Sequence, residues 1–549
     1  MHNKRRTGRS ILTLLLGVAL ALTSCLSTAY AEKEAKNVIF LMTDGTSASS
    51  IALARWYKGS PLALDEILTG AVRTYSAESV ITDSAPGATA FATGYKSNSK
   101  FIGVLPAEVT VPGVTAMPAE LKYKPVATVL EGARLKGKAT GLVATSNIQH
   151  ASPAAFSAHT PFRDQFQLIA KQQVYGNVNV VFGGGKQYLL PEQQGGTRSD
   201  GDNLIKVLRS RGYAFVETKD EMKRISSGNV WGLFASEALA YDMDRTALAP
   251  HEPSLAEMTG KAIELLSQNK KGFFLFVEAS KVDWANHANE PIGVISDLLA
   301  YDEAVKVALN FAKGDGQTLV IACADHATGG MAIGNGAVSK SYDKTSFERL
   351  IAPLKKTSLT GEGVARLLGN DRSAQGITQV MADYYGITDL TADEMIKIQK
   401  TDKAERLPGV IGPMISSRSA IGWVYTGHTG EDVFLYSYGP GKPTGLIENR
   451  AIAAVSAKVL GFDLAAADKE LFVEAEAACA AIGAACSLAM TEQGQPVLVI
   501  KKAGVTAELF IDTNLIKIGS VMKELPGLTV RIPQTNKVYL PQAAVSLLQ

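Results

Sequence analysis

Short apolar runs alternate with segments of helical periodicity from residue 37 to about residue 330. The runs NVIFLMT (37–43), KATGLVA (138–144), GFFLFV (272–277) and QTLVIA (317–322) are continuous rather than alternating. Such runs are typical of strands buried on both faces of a parallel sheet. Residues 255–268 and 291–311 between them have the apolar spacing of helices. The pattern predicts an α/β fold with a doubly wound, mostly parallel central sheet flanked by helices.

The pattern changes twice further along the chain. Residues 334–417 are rich in Lys, Thr, Gly and Asp and contain only short helical segments, which predicts an inserted cap region on top of the sheet. Residues 433–438 and 451–460 return to the strand and helix patterns of the main body. From about residue 465 an alanine-rich acidic segment is followed by short β-like runs at 496–501, 507–511, 527–532 and 538–540. We therefore predict a small, β-rich α+β domain at 465–549.

The last residues, KVYLPQAAVSLL, weakly resemble the end of the modules named after copper amine oxidase N-terminal domains. Attachment to the cell surface through this C-terminal domain is one hypothesis for its role.

Composition excludes some classes of protein. The chain has 549 residues, 46% of them hydrophobic, and a formal net charge of +2, so it buries a large core and offers no electrostatic case for binding nucleic acid. Four cysteines are too few to build the fold with disulfides. Cys323 lies in an apolar run and is expected to be buried. Cys479 and Cys486 could pair if helical geometry breaks between them.

The first residues have the layout of a targeting segment. Basic residues precede an apolar run at 11–22, and Ala29-Tyr30-Ala31 offers a small-x-small cleavage site. We predict a signal peptide at 1–31 and an exported protein, either periplasmic or extracellular and at the cell surface. The sequence LTSC also resembles a lipoprotein box, so a lipid anchor at Cys25 stays open as an alternative.

The stretch VITDSAPGATAFATG places Ser84 at the start of a predicted helix, directly after Asp83. Free backbone N–H groups and the positive end of a helix dipole favour a bound phosphate at such a position. Taken alone, Ser84 and Asp83 are more simply explained as helix-capping residues. The rest of the chain favours a catalytic interpretation of Ser84.

Acids and histidines recur where the predicted strands end. Asp283 and His287 have the i, i+4 spacing that places two side chains on one face of a helix. The full set of candidate metal ligands is Asp44, His150, Ser152, Glu278, Asp283, His287, Asp325, His326 and His428. Because ligands bind beyond the carboxyl ends of strands in such sheets, we expect these side chains to converge. Imidazole with carboxylate ligands suits Zn²⁺, and an oxygen-rich site suits Mg²⁺.

These motifs together resemble the bacterial alkaline phosphatases. The resemblance runs in order from about residue 36 to residue 462 and rests on MTDG, TDSAPGATAFATG, EASKVDWANH, TLVIACADHATGG and TGHTGED. It implies hydrolysis of small phosphate monoesters through a phosphoserine, with two Zn²⁺ and one Mg²⁺ in each subunit of a homodimer. It further implies that Ser84 is the nucleophile and that Arg163, positioned by Asp83, holds the phosphate oxygens.

The resemblance also assigns the ligands. Asp283, His287 and His428 match the first zinc site, and Asp44, Asp325 and His326 match the second. Asp44, Glu278 and Ser152 match the third site, which normally holds magnesium. His150 stands at a position of that site where the best-known enzymes have Asp, which leaves the third metal open. Trp284 stands where they have Lys, so Arg163 is expected to carry more of the phosphate binding.

The sequence disfavours three other functions. A formylglycine sulfatase is rejected, because position 88 is alanine where an arginine is expected. A phosphodiesterase of the same superfamily is disfavoured by Arg163 and by the ligands of the third site. A non-catalytic surface protein with a relic site is disfavoured by the complete ligand set.

Overall fold

A ten-stranded mixed sheet forms the centre of the molecule. The structure is a computed structural model that describes residues 35–549; the predicted signal peptide at 1–31 and Cys25 lie outside these residues. In chain order the strands are β1 (Asn37–Thr43), β2 (Leu68–Arg73), β3 (Ala139–Asn147), β4 (Val180–Gly184), β5 (Ala214–Val216), β6 (Val230–Leu233), β7 (Phe273–Ala279), β8 (Thr318–Ala324), β9 (Val433–Tyr438) and β10 (Gly445–Glu448).

The spatial order of these strands is β10-β2-β9-β8-β1-β7-β3-β4-β6-β5. β9 is antiparallel to both of its neighbours, and the other pairs are parallel. The strand order departs from the chain order on both sides of β1, as in a doubly wound sheet. The predicted fold class is confirmed.

Both faces of β1 are buried, as its continuous apolar run predicts. Ile39 and Leu41 pack into a core on one face of the sheet, whereas Val38, Phe40 and Met42 pack into a core on the other. The alternation follows from the two-residue period of a strand. Helices cover both faces. They are Ala48–Lys58, Ser84–Thr93, Val129–Leu135, Ala151–Ala155, Phe166–Tyr175, Leu204–Ser210, Lys219–Arg224, Asp242–Leu248, Leu255–Leu266, Lys281–His287, Pro291–Asp315 and Ala451–Leu460.

Residues 334–417, here called the cap, are mostly helical, and their apolar side chains share one core with Leu53, Ile292 and Ile295 of the main body. The α-helices of the cap are Phe347–Lys355, Gly361–Leu368, Ala374–Tyr385, Ala392–Gln399 and Leu407–Arg418. Three polar contacts bond the cap to the main body. Tyr385 donates to Glu290 at 2.7 Å, Thr360 donates to Asp244 at 2.6 Å, and Lys281 donates to both oxygens of Glu362 at 2.9 Å. These contacts fix the cap above the helix Lys281–His287.

The C-terminal residues form a seven-stranded sheet in which every pair of neighbouring strands is antiparallel. Its strands are Val473–Glu474, Ala485–Met490, Pro496–Lys502, Val505–Phe510, Thr513–Ile518, Val521–Ile532 and Lys537–Leu540, with helices Leu464–Leu471, Ala475–Ala481 and Gln542–Ser546. The strands Ala485–Met490 and Thr513–Ile518 were not predicted. ACSLAM has no β-branched or aromatic residue, and TNLIKI mixes polar and apolar side chains without regular alternation. The domain boundary at about 465 stays a prediction.

This sheet shares an apolar cluster with the main body. Leu471, Phe472 and Val530 pack with Val104 and Ala127. Polar contacts cross the same boundary, including Gln172 to Asp512 at 2.8 Å and Arg211 to Glu524 at 3.0 Å. The C-terminal sheet is therefore packed against the main body rather than tethered to it.

The cysteines partly follow expectation. Cys323 is buried in β8. Helical geometry does break between the other two, since the helix ends at Ala481 and Cys486 lies on the strand Ala485–Met490. Both Cys479 and Cys486 are thiols in the structure. Within residues 35–549, no helix combines the length and apolar character needed to cross a membrane.

Candidate active site

Most candidate ligands lie at the carboxyl ends of four adjacent strands. β8, β1, β7 and β3 are neighbours in the sheet. Asp44 follows β1, Glu278 is the penultimate residue of β7, and Asp325 with His326 follows β8. His150 follows β3 and precedes the short helix Ala151–Ala155. Parallel pairing brings these ends to the same edge, as the sequence predicted.

The remaining ligands come from outside the central sheet. Asp283 and His287 lie on one face of the helix Lys281–His287, with His287 Nε2 3.2 Å from Asp283 Oδ2. The sequence predicts that His428 follows a strand-like run at 422–425, after the insertion. In the structure that strand is only Ile421–Gly422, and His428 lies on a separate two-residue strand that pairs antiparallel with Ala327–Thr328, just beyond β8. That pairing brings His428 Nε2 to 3.1 Å from His287 Nε2.

The side chains gather into three groups that could each hold a metal ion. The groups are Asp283, His287 and His428; Asp44, Asp325 and His326; and Asp44, His150 and Glu278. Within each group, one ligand atom from each residue lies within 4.8 Å of the others. Asp44 belongs to two groups, so the second and third share a carboxylate.

The carboxylates of these groups are suited to cations. Asp44, Glu278 and Asp325 are fully buried, and five of their six carboxylate oxygens lack a hydrogen-bond partner within the part of the chain that the structure describes. The sixth, Asp325 Oδ1, accepts from the backbone N–H of Gly45. Burial, followed by the neighbouring carboxylates, raises the pKa of Asp44 well above its ordinary value. Burial raises the pKa of Glu278 to about 8 and that of Asp325 to about 7. Buried, unpaired carboxylates cost several kcal/mol unless a cation offsets them, so these residues fit metal ions.

The pKa values of the histidines are shifted in different directions. Burial, followed by the nearby Arg163, lowers the pKa of His150 to about 3, so its ring is neutral and able to bind a metal. Burial also lowers the pKa values of His326 and His428. Burial opposes the charged form of His287, but the Asp283 carboxylate outweighs it and raises the pKa of His287 to about 9.

Ser84 lies at the N-terminus of the helix Ser84–Thr93, with Asp83 as the preceding N-cap residue. The serine is 2% exposed, and its Oγ lies 3.2 Å from His326 Nε2. The helix approaches the second group closely at Gly87, where a Cβ atom would come within 3.3 Å of the Asp325 side chain. The small residues of this helix therefore let Ser84 reach the metal ligands.

Arg163 lies beside Ser84 and is held from two sides. Its Nη1 is 2.5 Å from Asp83 Oδ1, and its Nη2 donates to His150 Nε2 at 3.3 Å. Burial opposes the charged form of Asp83, but Arg163 and the backbone N–H of Lys100 keep the pKa of Asp83 below its ordinary value. Trp284 packs edge-on against His150, with 5.8 Å between the ring centroids.

Two residues near the site were not singled out from the sequence. Thr328 is buried and donates to Asp283 Oδ1 at 2.6 Å, which orients that carboxylate. Lys281 is 1% exposed and bonds the first turn of the helix Lys281–His287 to Glu362 of the cap. Thr328 lies within the quoted motif TLVIACADHATGG. No sequence pattern pairs Lys281 with Glu362, because the contact spans 81 positions.

Comparison with known proteins agrees with this geometry. Residues 35–462 match the family model described as alkaline phosphatase. The chain is 37% identical over 476 residues to alkaline phosphatase 4 of Bacillus subtilis (strain 168), an alignment that covers 82% of this chain and 95% of that protein. Residues beyond 462 lie outside the match to the family model.

Solved structures give the same result. The crystal structure of Thermus thermophilus alkaline phosphatase has a TM-score of 0.69 and 27% identity, covering 78% of this chain and 92% of that one. A variant of the alkaline phosphatase from the Antarctic bacterium TAB5 has a TM-score of 0.55 and 26% identity, covering 78% of this chain and 99% of that one. In that variant aspartate replaces a histidine, and Mg is described as bound in the M3 site.

Proposed function

The chain belongs to the alkaline phosphatase family, and we propose that it hydrolyses phosphate monoesters through a covalent phosphoserine at Ser84. The observation that carries the proposal is the position of Ser84. Its Oγ lies at a helix N-terminus, 3.2 Å from His326, with Arg163 held beside it. A nucleophile, an anion-binding helix end and a guanidinium thus converge on one point.

Three metal sites would surround this point. Asp283, His287 and His428 would hold one zinc ion, and Asp44, Asp325 and His326 a second. The third group, Asp44, His150 and Glu278, together with the buried Ser152 hydroxyl, would hold a third ion. When bound, such ions lower the pKa of coordinated oxygens and stabilise the charge that develops during phosphoryl transfer.

Side chains and backbone groups of the protein bind and orient the phosphate. Arg163 presents two N–H groups to phosphate oxygens in the bidentate manner of a guanidinium, and Asp83 keeps it aimed. The backbone N–H groups at the start of the helix Ser84–Thr93 stabilise the negative charge. The neutral ring of His326 lies within hydrogen-bonding reach of the Ser84 hydroxyl.

The reaction proceeds in two steps. Ser84 Oγ attacks phosphorus, the bond to the ester oxygen breaks, and the alcohol departs with a proton. Water then attacks the phosphoserine, which restores the Ser84 hydroxyl and releases inorganic phosphate. Each step is a displacement at phosphorus, and Arg163 holds the same non-bridging oxygens in both.

The third site departs from the magnesium pattern. His150 supplies a neutral imidazole where the best-known enzymes have a carboxylate. Imidazole favours transition metals, whereas Mg²⁺ prefers oxygen ligands. We propose that His150 weakens magnesium binding at this site. The Antarctic relative in which aspartate replaces a histidine, with Mg in its M3 site, is consistent with this effect of the ligand.

The decisive experiment compares monoester and diester turnover by the zinc- and magnesium-loaded protein. We expect p-nitrophenyl phosphate to be hydrolysed far faster than bis-p-nitrophenyl phosphate. Ser84→Ala should lower monoester turnover by at least about a thousandfold, because it removes the nucleophile. It should also abolish ³²P labelling of the acid-quenched protein. Ser487→Ala, at an exposed serine of the C-terminal sheet, is the matched control.

Faster turnover of the diester would favour the phosphodiesterase alternative. Full activity in Ser84→Ala would contradict the mechanism. Turnover of neither substrate by the metal-loaded protein would favour the non-catalytic surface protein. Export through the segment at 1–31 and assembly as a homodimer are proposals that cell fractionation and sedimentation would test.

A further inference from the structure

Lysines collect at the edge of the central sheet where the parallel strands begin, here called the amino edge. Lys36 directly precedes β1, Lys138 directly precedes β3, and Lys271 is separated from β7 by one residue. These three strands are neighbours, in the order β1-β7-β3. Adjoining loops add further lysines. The set at this edge is Lys36, Lys136, Lys138, Lys270, Lys271 and Lys458.

Contacts hold these lysines in one region. The Lys138 ammonium donates to the backbone oxygen of Lys36 at 2.9 Å and to that of Lys271 at 2.7 Å. Burial, followed by the nearby Lys36 ammonium, lowers the pKa of Lys138. Lys136 and Lys458 line a common groove. The six ammonium groups therefore form one basic surface rather than scattered charges.

Little negative charge offsets this surface. Within residues 35–549, no carboxylate oxygen lies within 4.0 Å of any of the six ammonium groups. Asp315 and Asp463 lie in the adjoining loops, but both already accept hydrogen bonds. Asp315 accepts from side chains at the starts of β1 and β8, and Asp463 caps the helix Leu464–Leu471. Lys313, in the same loop as Asp315, is paired with Glu66 at 2.6 Å. The amino edge is thus positive on a chain whose formal net charge is only +2.

A groove of about 690 Å³ lies beside the lysines. Besides Lys136 and Lys458, its lining is mainly apolar and includes Phe462, Leu464 and four alanines. Ala454 is the exposed member on the helix Ala451–Leu460. Ammonium groups beside apolar surface complement an anionic lipid, whose phosphate meets the lysines while its hydrocarbon meets the groove. A soluble polyanion would satisfy only the charge.

The amino edge and the candidate active site lie at opposite ends of the same strands. Asp44 follows the last residue of β1, whereas Lys36 precedes its first. A strand of that length, at about 3.3 Å per residue, separates the two ends by roughly 23 Å. A flat anionic surface against the amino edge would therefore leave Ser84 and the candidate metal ligands facing the aqueous solution.

We propose that the amino edge docks on a bilayer that contains anionic phospholipid. Lys270 and Lys271 supply charge to the headgroup phosphates, and Lys136 and Lys458 join that charge to the apolar groove. The inference is independent of the proposed function, since it concerns a surface on the far side of the sheet from Ser84.

The test measures partition of the purified protein onto vesicles by sedimentation. One set of vesicles is phosphatidylcholine, and the other is an equal mixture of phosphatidylcholine and phosphatidylglycerol. The measured quantity is the ratio of the two partition coefficients, compared between variants. The apolar run at 11–22, or a lipid at Cys25, contributes equally to every variant and cancels.

We expect the ratio to favour the anionic vesicles by about a hundredfold or more, because each lysine near such a surface contributes about fivefold. In about 1 M NaCl, where the Debye length is about 3 Å, the ratio should fall towards one. A ratio of one at low salt would overturn the inference.

Two double variants test the residues. Lys270→Gln with Lys271→Gln should lower the ratio about tenfold or more, and so should Lys136→Gln with Lys458→Gln. Lys270→Arg with Lys271→Arg should keep it, because the charge is kept. Lys340→Gln with Lys344→Gln, at exposed lysines of the cap, is the matched control and should leave the ratio unchanged. Ratios in both amino-edge variants equal to that of the control would overturn the inference.

The groove has its own test. Ala454→Gln adds a polar side chain without changing the charge, and it should lower partition onto the anionic vesicles about threefold through lost apolar contact. Unchanged partition would overturn the assignment of the groove to lipid. All these variants should keep the p-nitrophenyl phosphate turnover and the melting temperature of the unsubstituted protein, because the substitutions lie on the surface and far from Ser84.

Discussion

Arg163 and Asp83 form an ion pair, with 2.5 Å between Nη1 and Oδ1, although 80 positions separate them. Asp83 is also the N-cap residue of the helix that begins with Ser84. The residue before the proposed nucleophile thus holds the cation proposed to bind the phosphate. The backbone N–H of Lys100 donates to the second Asp83 oxygen, which fixes the carboxylate itself.

Asp83→Asn should weaken phosphate binding. The substitution keeps the shape of the side chain but removes the charge that aims Arg163, a charge-assisted contact worth about 1 to 2 kcal/mol. We expect the Ki for inorganic phosphate and the KM for p-nitrophenyl phosphate to rise about tenfold. Asp164→Asn, at a nearby exposed aspartate, should change neither. Equal constants in Asp83→Asn and the unsubstituted protein would show that Arg163 needs no such partner.

His150→Asp should make activity depend more strongly on magnesium. The change replaces a neutral imidazole, whose pKa is about 3, with an oxygen ligand of the kind that Mg²⁺ prefers. We expect the magnesium concentration for half-maximal activity to fall, and magnesium content by elemental analysis to rise towards one ion per chain. His251→Asp, at an exposed histidine, is the control. Unchanged magnesium content in His150→Asp would contradict the assignment of this site.

Removing metals should destabilise the protein, and more so at alkaline pH. The pKa of Glu278 is raised to about 8 and that of Asp325 to about 7. Below the unfolded pKa, such a carboxyl group is protonated in both states and costs the folded protein nothing. As pH rises from the unfolded pKa through the folded pKa, stability is lost, because ionising the group is more costly in the folded state. After chelation, the melting temperature should therefore fall between about pH 5 and pH 9. Added zinc should restore it; a pH-independent melting temperature of the chelated protein would count against the clustered carboxylates.

A buried pair outside the active site should give stability its own pH dependence. His159 Nε2 lies 3.0 Å from Glu131, and His159 Nδ1 lies 2.9 Å from the Gly103 oxygen, so both ring nitrogens donate. Burial disfavours both charged forms, but the attraction between the two residues is stronger. The pKa of His159 is therefore raised and that of Glu131 is lowered. The pair is therefore fully charged in the folded state between the ordinary values of 4.5 and 6.5.

His159→Gln should lower the free energy of unfolding most within that window, by about 2 kcal/mol. The histidine contribution is present below its unfolded pKa and is lost as pH rises through the raised folded value, so the difference should shrink at alkaline pH. Denaturant unfolding at pH 6 and pH 10 would measure it, with His251→Gln as the control. A difference that does not vary with pH would show that His159 is neutral in the folded protein.

The pattern of the chain determined the central sheet. Continuous apolar runs such as that of β1 need apolar neighbours on both faces, and only an internal strand provides them. Because parallel strands end at one edge, the chain order alone also placed Asp44, Glu278 and Asp325 together. The resemblance to the family also singled out Ser84 and Arg163.

Tertiary structure decided how these residues meet. No local pattern shows that Asp44 is shared by two groups, or that His428 reaches His287 from a short ladder outside the sheet. The strands Ala485–Met490 and Thr513–Ile518 acquire their form from neighbouring strands rather than from their own alternation. The cap is bonded to the helix Lys281–His287 through Lys281 and Glu362, a contact across 81 positions. A sequence pattern records which faces must be buried, whereas packing decides which distant side chains fill the same space.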